Sequence, residues 1–247
     1  MLRTLIWDVD GTLAETERDG HRVAFNHAFD ELGLPWQWDV TTYGRLLRVT
    51  GGRERLLAWM GERVEAPPGE VERMQLAAQI HRRKGHHYQR LVAQGVVMVR
   101  PGVIRLVREC ADAGIAMAIA TTTGRANVDA LLPHLFSADW RKLFQVVICA
   151  EDAPKKKPDP QAYELALQRL YCAPAEALAV EDSTAGLRSA RSAGIACVVT
   201  RSSYFADVEF PSAALVCDDL DHAPAAAGCA AAAVDMALLR GLLLAEG

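Results

Sequence analysis

The sequence predicts an α/β protein: a Rossmann-like, doubly wound parallel sheet with an inserted α-helical cap. Three observations carry that reading. Short, uninterrupted apolar runs recur along the chain, helical patterns alternate with the later ones, and one long N-terminal segment breaks the alternation. Uninterrupted apolar runs suit strands buried on both faces, and strand alternating with helix reads as βαβ units.

The apolar runs lie at Leu2–Trp7, Ala116–Ala120, Val146–Cys149, Leu178–Val180 and Cys197–Val199. Helical periodicity predicts helices over Val103–Ala113, Val128–Leu135, Gln161–Leu170 and Ala185–Ala193. Gly114 and Gly194 stand where C-cap glycines belong, just past a helix and before a strand. Between about Glu15 and Val97 no strand-like run occurs, only patterns such as HRVAFNHAFDELG, and the length suits about four helices. The expected division is therefore a catalytic core of residues 1–14 and 98–247 with a helical cap over 15–97, joined by linkers near 13–17 and 92–101.

A chain of 247 residues, 51% hydrophobic and 23% charged, has the material for a sizeable core. Its net charge of −4 argues against nucleic acid as the main partner. The basic run His81-Arg82-Arg83-Lys84 reads as the solvated face of a cap helix. Six cysteines form no C-x-x-C pair or zinc spacing and read as reduced, buried thiols of a cytoplasmic protein. No signal-peptide pattern opens the chain, and the alanine-rich stretch from Ala225 to Leu244 is broken by Asp235 and Arg240, so a soluble helix and no membrane partner are expected.

The chemistry gathers at four predicted strand ends, which in an open parallel sheet face one crevice. After the first strand come Asp8 and Asp10 in D-V-D-G-T. One carboxylate suits nucleophilic attack on phosphorus, and a second suits proton transfer to the leaving oxygen and from water. After the second come Thr121, Thr122 and Thr123, whose hydroxyls and amides suit phosphate oxygens. After the third comes Lys155-Lys156-Lys157-Pro158, where the proline restricts Lys157 and marks it as the positioned ammonium. After the fourth come Glu181 and Asp182, hard oxygen ligands suited to Mg²⁺. Alone, each has an ordinary reading as exposed turn, helix N-cap or solvated basic loop. Their order along one predicted sheet favours the common site.

These residues resemble the four signature motifs of the haloacid-dehalogenase-like hydrolases, over the chain up to about Asp221. The resemblance implies a phosphatase with Asp8 as nucleophile, Asp10 as general acid/base, Thr121 as phosphate-binding hydroxyl and Lys157 as the catalytic lysine. It also implies a Mg²⁺ site of Asp8, the Asp10 carbonyl, Glu181 and Asp182, with Thr121, Thr122 and Lys157 on the substrate phosphate. Within the superfamily, WDVDGTLAETE, HRVAFNHAF, YGRLLRVTGGRERL and ATTTGRANV are similar to the CbbY-type phosphatases of xylulose 1,5-bisphosphate from Calvin-cycle operons. That implies Glu17, His21, Thr50, Gly51, Gly52, Arg53 and Arg55 as substrate contacts. A bisphosphate needs a second anion site on the cap, and Arg53 could fork two donors onto it.

The expected reaction is Mg²⁺-dependent hydrolysis of a small sugar phosphate through an aspartyl-phosphate. A sugar-phosphate mutase of the β-phosphoglucomutase kind and a phosphoglycolate phosphatase remain as alternatives. The sequence leaves the oligomeric state open, a monomer being compatible with it.

Overall fold

The computed structural model describes residues 1–224 and 233–245. Six strands, β1 (Thr4–Trp7), β2 (Ala116–Ala120), β3 (Val146–Ile148), β4 (Ala177–Glu181), β5 (Ala196–Thr200) and β6 (Leu215–Cys217), form one sheet in the order β3-β2-β1-β4-β5-β6. Every neighbouring pair is parallel, with Thr4 opposite both Ala116 and Ala177. β1 therefore sits in the middle, and the chain leaving it emerges between the ends of β2 and β4.

Alternation along the strands divides the core into two layers. Leu5, Trp7, Met117, Ile119, Leu178, Val180 and Val198 pack on one face with residues of the helices Val103–Asp112, Arg125–Leu135 and Met236–Ala245. Ile6, Ala118, Ala120, Val146, Ile148, Ala179, Cys197 and Val199 pack on the other with Gln161–Leu170 and Thr184–Ser192. Burial on both faces is the physical reason these strands are apolar without interruption.

In chain order the α-helices are α1 (Arg22–Glu31), α2 (Val40–Leu46), α3 (Gly52–Gly61), α4 (Glu70–Ala93), α5 (Val103–Asp112), α6 (Arg125–Leu135), α7 (Gln161–Leu170), α8 (Thr184–Ser192) and α9 (Met236–Ala245). A π-helical turn, Glu17–His21, leads into α1. Helices α1 to α4 enclose an apolar cluster of their own in which Phe25, Phe29, Trp36, Trp38 and Trp59 meet largely edge to face. At their base, Ala14 bridges Val99 in antiparallel fashion, so the outgoing and returning chains lie side by side.

The sixth strand was not expected. It is only three residues long and follows Ala213-Ala214 with no helix-length pattern before it. Helix α6 begins at Arg125, three residues before the apolar periodicity that signals it, with Gly124 in the N-cap position. At the C-terminus, Asp235 accepts from the Leu238 amide and caps α9, whose Leu239 and Leu243 are buried on the core. Cys229 and the residues 225–232 read above as helix lie outside the described residues; the other five cysteines are free. Among the described residues, no helix is long and apolar enough to cross a membrane.

Candidate active site

The sequence after β1 leaves the sheet through a turn that only glycine fits. Gly11 has φ +82°, and a Cβ on it would lie 2.1 Å from an Asp182 carboxylate oxygen. That turn brings the end of β1 against the end of β4. Asp182 accepts from the Ser202 hydroxyl at 2.6 Å, and the Asp8 amide donates to the Val180 carbonyl at 3.0 Å.

Lys157 enters from the loop after β3 and is 4% exposed. Its ammonium donates to Asp8 Oδ1 at 2.6 Å, to the Ala120 carbonyl at 2.8 Å and to Glu181 Oε1 at 2.5 Å. Burial alone would lower its pKa, but the charges of Asp8 and Glu181 hold it above its ordinary value. Glu181 is fully committed. Its Oε1 also accepts from the Tyr163 hydroxyl at 2.7 Å, and its Oε2 from the Asp182 amide at 3.2 Å.

Asp8, Glu181 and Asp182 each offer a carboxylate oxygen within 4.8 Å of the others. Burial, offset only in part by Lys157, pushes the Asp8 carboxyl up to about 8, and burial together with the Asp8 charge also raises Asp182. Three buried carboxylates against one ammonium carry excess negative charge, and hard oxygen donors so arranged fit a divalent cation. Because Glu181 already holds Lys157 and Tyr163, the oxygens of Asp8 and Asp182 are the ones with coordination to spare.

Asp10 points the other way, toward the helical layer. Its Oδ1 accepts from the Thr16 hydroxyl at 2.6 Å and faces His21 Nε2 at 3.0 Å, while its Oδ2 accepts from the Thr123 hydroxyl. Burial opposes ionisation, but the His21 charge and these hydrogen bonds outweigh it and hold the carboxyl below the usual range. His21 is itself buried, its ring tilted against Tyr88 with centroids 4.1 Å apart.

These groups open onto a cavity of about 560 Å³ between the sheet ends and α1 to α4. Asp8, Asp10, Thr122, Thr123, Lys157 and Asp182 line it from the sheet side, and Glu17, His21, Thr50, Gly51, Gly52, Arg53 and Arg55 from the helical side. Thr121 and Glu181 stay behind the wall. The Thr121 hydroxyl accepts from the Thr123 amide at 3.1 Å, which shapes the loop, and the next two threonines present their atoms to the cavity. Arg55 reaches the wall but is buried, donating to the Leu46 carbonyl at 3.2 Å and the Tyr43 hydroxyl at 2.8 Å. Tyr43 in turn donates to Glu17 at 2.5 Å, so Arg55 positions Glu17 through Tyr43.

The sequence reading missed several wall residues. The run 81–84 is not wholly solvated: Arg82 and Arg83 are exposed, but Lys84 is buried and lines the cavity with His81. A signal existed, because Ala77, Ile80, Lys84 and Tyr88 fall on one helical stripe of α4 and are all buried. Burial first, then the nearby charges of Lys84 and Lys156, drives His81 down to about 3, which keeps it neutral near pH 7. Tyr163, Ser202 and Thr16 gave no signal, since each acts through a single hydroxyl, and the bond from Thr123 to Asp10 could not be told from its reading as a phosphate contact.

Gly186, one turn into α8, leaves room for Glu181; a Cβ there would fall 1.9 Å from its carboxylate. Gly186→Ala should therefore destabilise the protein by about 1–3 kcal/mol, as overpacking does, and lower activity by shifting Glu181 from Lys157. Urea unfolding and phosphate-release rates on the same preparation check both effects. Unchanged values would remove the packing argument.

A cavity floored by carboxylates and a buried ammonium, with arginines on its helical side, suits hydrolysis of an anionic ester, and the class defined is a phosphatase. The family model for haloacid dehalogenase-like hydrolases matches residues 2–194, and the chain belongs to that family. Within it the chain is of the CbbY type. It is 44% identical over 236 residues to the plasmid-borne CbbY protein of Cupriavidus necator, with 92% of each chain covered. It superposes on CbbY of Rhodobacter sphaeroides, solved with phosphate, with a TM-score of 0.82 at 40% identity, covering 89% of this chain and 95% of that one. The same figures hold for a variant of that protein solved with xylulose 1,5-bisphosphate.

Proposed function

We propose that the protein is a magnesium-dependent phosphatase of a small sugar bisphosphate, xylulose 1,5-bisphosphate, that works in the cytoplasm through an aspartyl-phosphate on Asp8. The observation that carries this reading is a single cavity with anion-binding groups at both ends: Lys157, Thr122 and Thr123 beside Asp8, and Arg48, Thr50, Gly51, Gly52 and Arg53 on the helical side. Arg48 and Arg53 take part in no ion pair among the described residues, so both are available to a ligand phosphate. The bisphosphate held by the Rhodobacter sphaeroides relative supports the same substrate here.

Asp8 and Asp182, with the Asp10 carbonyl, would hold the Mg²⁺, which supplies charge neutralisation between the attacking carboxylate and the phosphoryl oxygens. The free Asp8 oxygen attacks phosphorus while Lys157 holds the other. Asp10 delivers a proton to the departing sugar oxygen and, as carboxylate, then takes one from the water that cleaves the aspartyl-phosphate. His21, 3.0 Å from Asp10, orients it and exchanges protons with it. Residues 15–97 act as a cap, excluding bulk water so that charge stabilisation is strong.

The test is a panel of pentulose and hexose mono- and bisphosphates with Mg²⁺. The expected result is a strong preference for xylulose 1,5-bisphosphate with one equivalent of inorganic phosphate released. Recovery of an isomeric sugar phosphate in place of free phosphate would establish a mutase instead. Chelation with EDTA should remove turnover, and Mg²⁺ should restore it and raise the melting temperature, because the cation relieves repulsion among buried carboxylates. A melting temperature indifferent to Mg²⁺, Mn²⁺ and Ca²⁺ would contradict the metal assignment.

A further inference from the structure

Lys156 precedes the buried Lys157 but serves the opposite end of the cavity. Its ammonium reaches Glu54 Oε2 at 2.6 Å, joining the loop after β3 to the first turn of α3. Gly51 makes room for that pair: its φ is +95°, and a Cβ would meet Glu54 Oε2 at 2.2 Å and Lys156 Nζ at 2.5 Å. Lys156 lines the cavity together with Arg48, Gly51 and Arg53, whereas the Glu54 carboxylate stands at its rim, its side chain 47% exposed. The Glu54 carboxylate that pairs with Lys156 across the gap thus lies beside the unpaired arginines, in a crevice kept open by a glycine.

We propose that Lys156 is a specificity residue for bisphosphates, reaching from the sheet side to bind the distal phosphate, and that Glu54 is a placeholder which that phosphate displaces. The proposal rests on the bisphosphate reading above. An ion pair this exposed is weak, so replacing its carboxylate costs little. A phosphate dianion offers more charge and more acceptor oxygens than a carboxylate, and can engage Lys156 and Arg53 together. The distal phosphate then ties the helical layer to the catalytic loop next to Lys157. A monophosphate leaves Lys156 on Glu54, and the tie is missing.

The test compares kcat/KM for xylulose 1,5-bisphosphate with kcat/KM for p-nitrophenyl phosphate, which has no second phosphate, and reads their ratio. Losses common to both substrates cancel. Lys156→Met should lower the ratio about tenfold to a hundredfold, the range for one charged hydrogen bond, and Lys156→Arg should recover most of it. Glu54→Gln should raise the ratio about twofold to fivefold, chiefly through a lower KM for the bisphosphate, because it removes an exposed competitor of modest strength. The two partners of one ion pair thus act in opposite directions. A purely structural latch would lower the ratio in both variants and be repaired by the charge swap Glu54→Lys with Lys156→Glu; that outcome overturns the inference. So does a large wild-type ratio that survives Lys156→Met, which leaves the bisphosphate reading intact. A wild-type ratio near one overturns the bisphosphate reading itself and this inference with it.

Discussion

Asp8→Asn is expected to reduce phosphate release by at least about 10⁴-fold while raising the melting temperature. The catalytic loss follows from charge: an amide oxygen is a far poorer nucleophile than a carboxylate, and among the described residues no other free carboxylate oxygen stands beside Lys157 to replace it. The gain in stability follows from the same neighbourhood. Asp8 is buried with Glu181 and Asp182, and burial already pushes its carboxyl up to about 8 against the single charge of Lys157. Removing one negative charge of nearly unchanged shape relieves that conflict, a trade between stability and activity common at catalytic sites. Malachite-green phosphate assays and thermal melts on the purified variant decide it. Turnover within tenfold of wild type would remove the nucleophile assignment, and a lower melting temperature would remove the account of charge crowding.

The fold was legible where burial is two-sided. The runs at β1 to β5 are mostly apolar on both faces because both sheet faces are covered, and their shortness and alternation with helical patterns mark them as strands. β6 is only three residues long and half exposed at Leu215 and Val216, so the burial that would have marked it is weak. In the site, Asp8, Asp10, Lys157 and Asp182 could be read because each follows a strand and so must reach the same crevice. Which threonine faces the cavity could not be read, because one peptide's rotation at the end of β2 exchanges Thr121 for Thr122 and Thr123. Lys84 went astray because charge suggested solvent, whereas helical phase puts it between Ile80 and Tyr88. Arg55 does line the cavity, and helical phase also sets it beside the buried Leu56 and Trp59, where it holds Tyr43.

Lys157→Met is expected to have the opposite thermal sign to Asp8→Asn with a comparable loss of turnover. The ammonium makes three contacts of 2.8 Å or less, to Asp8, Ala120 and Glu181, and is 4% exposed. Methionine matches the length of the stem but leaves two buried carboxylates facing each other and the Ala120 carbonyl without its donor. Breaking a buried pair in this way costs about 3–5 kcal/mol. For a chain of this size that corresponds to a fall in melting temperature of about 6–20 °C. Catalysis fails separately, since nothing then neutralises the phosphoryl group opposite Asp8. The double variant discriminates between this account and a general loosening of the core. If Lys157 matters to stability chiefly because it holds Asp8 and Glu181 charged, then Asp8→Asn in the Lys157→Met background should recover part of the lost melting temperature, with a coupling of about 0.5–3 kcal/mol. Strict additivity of the two thermal shifts would show that Lys157 supports the fold by packing alone, and the electrostatic reading of the site would fall with it.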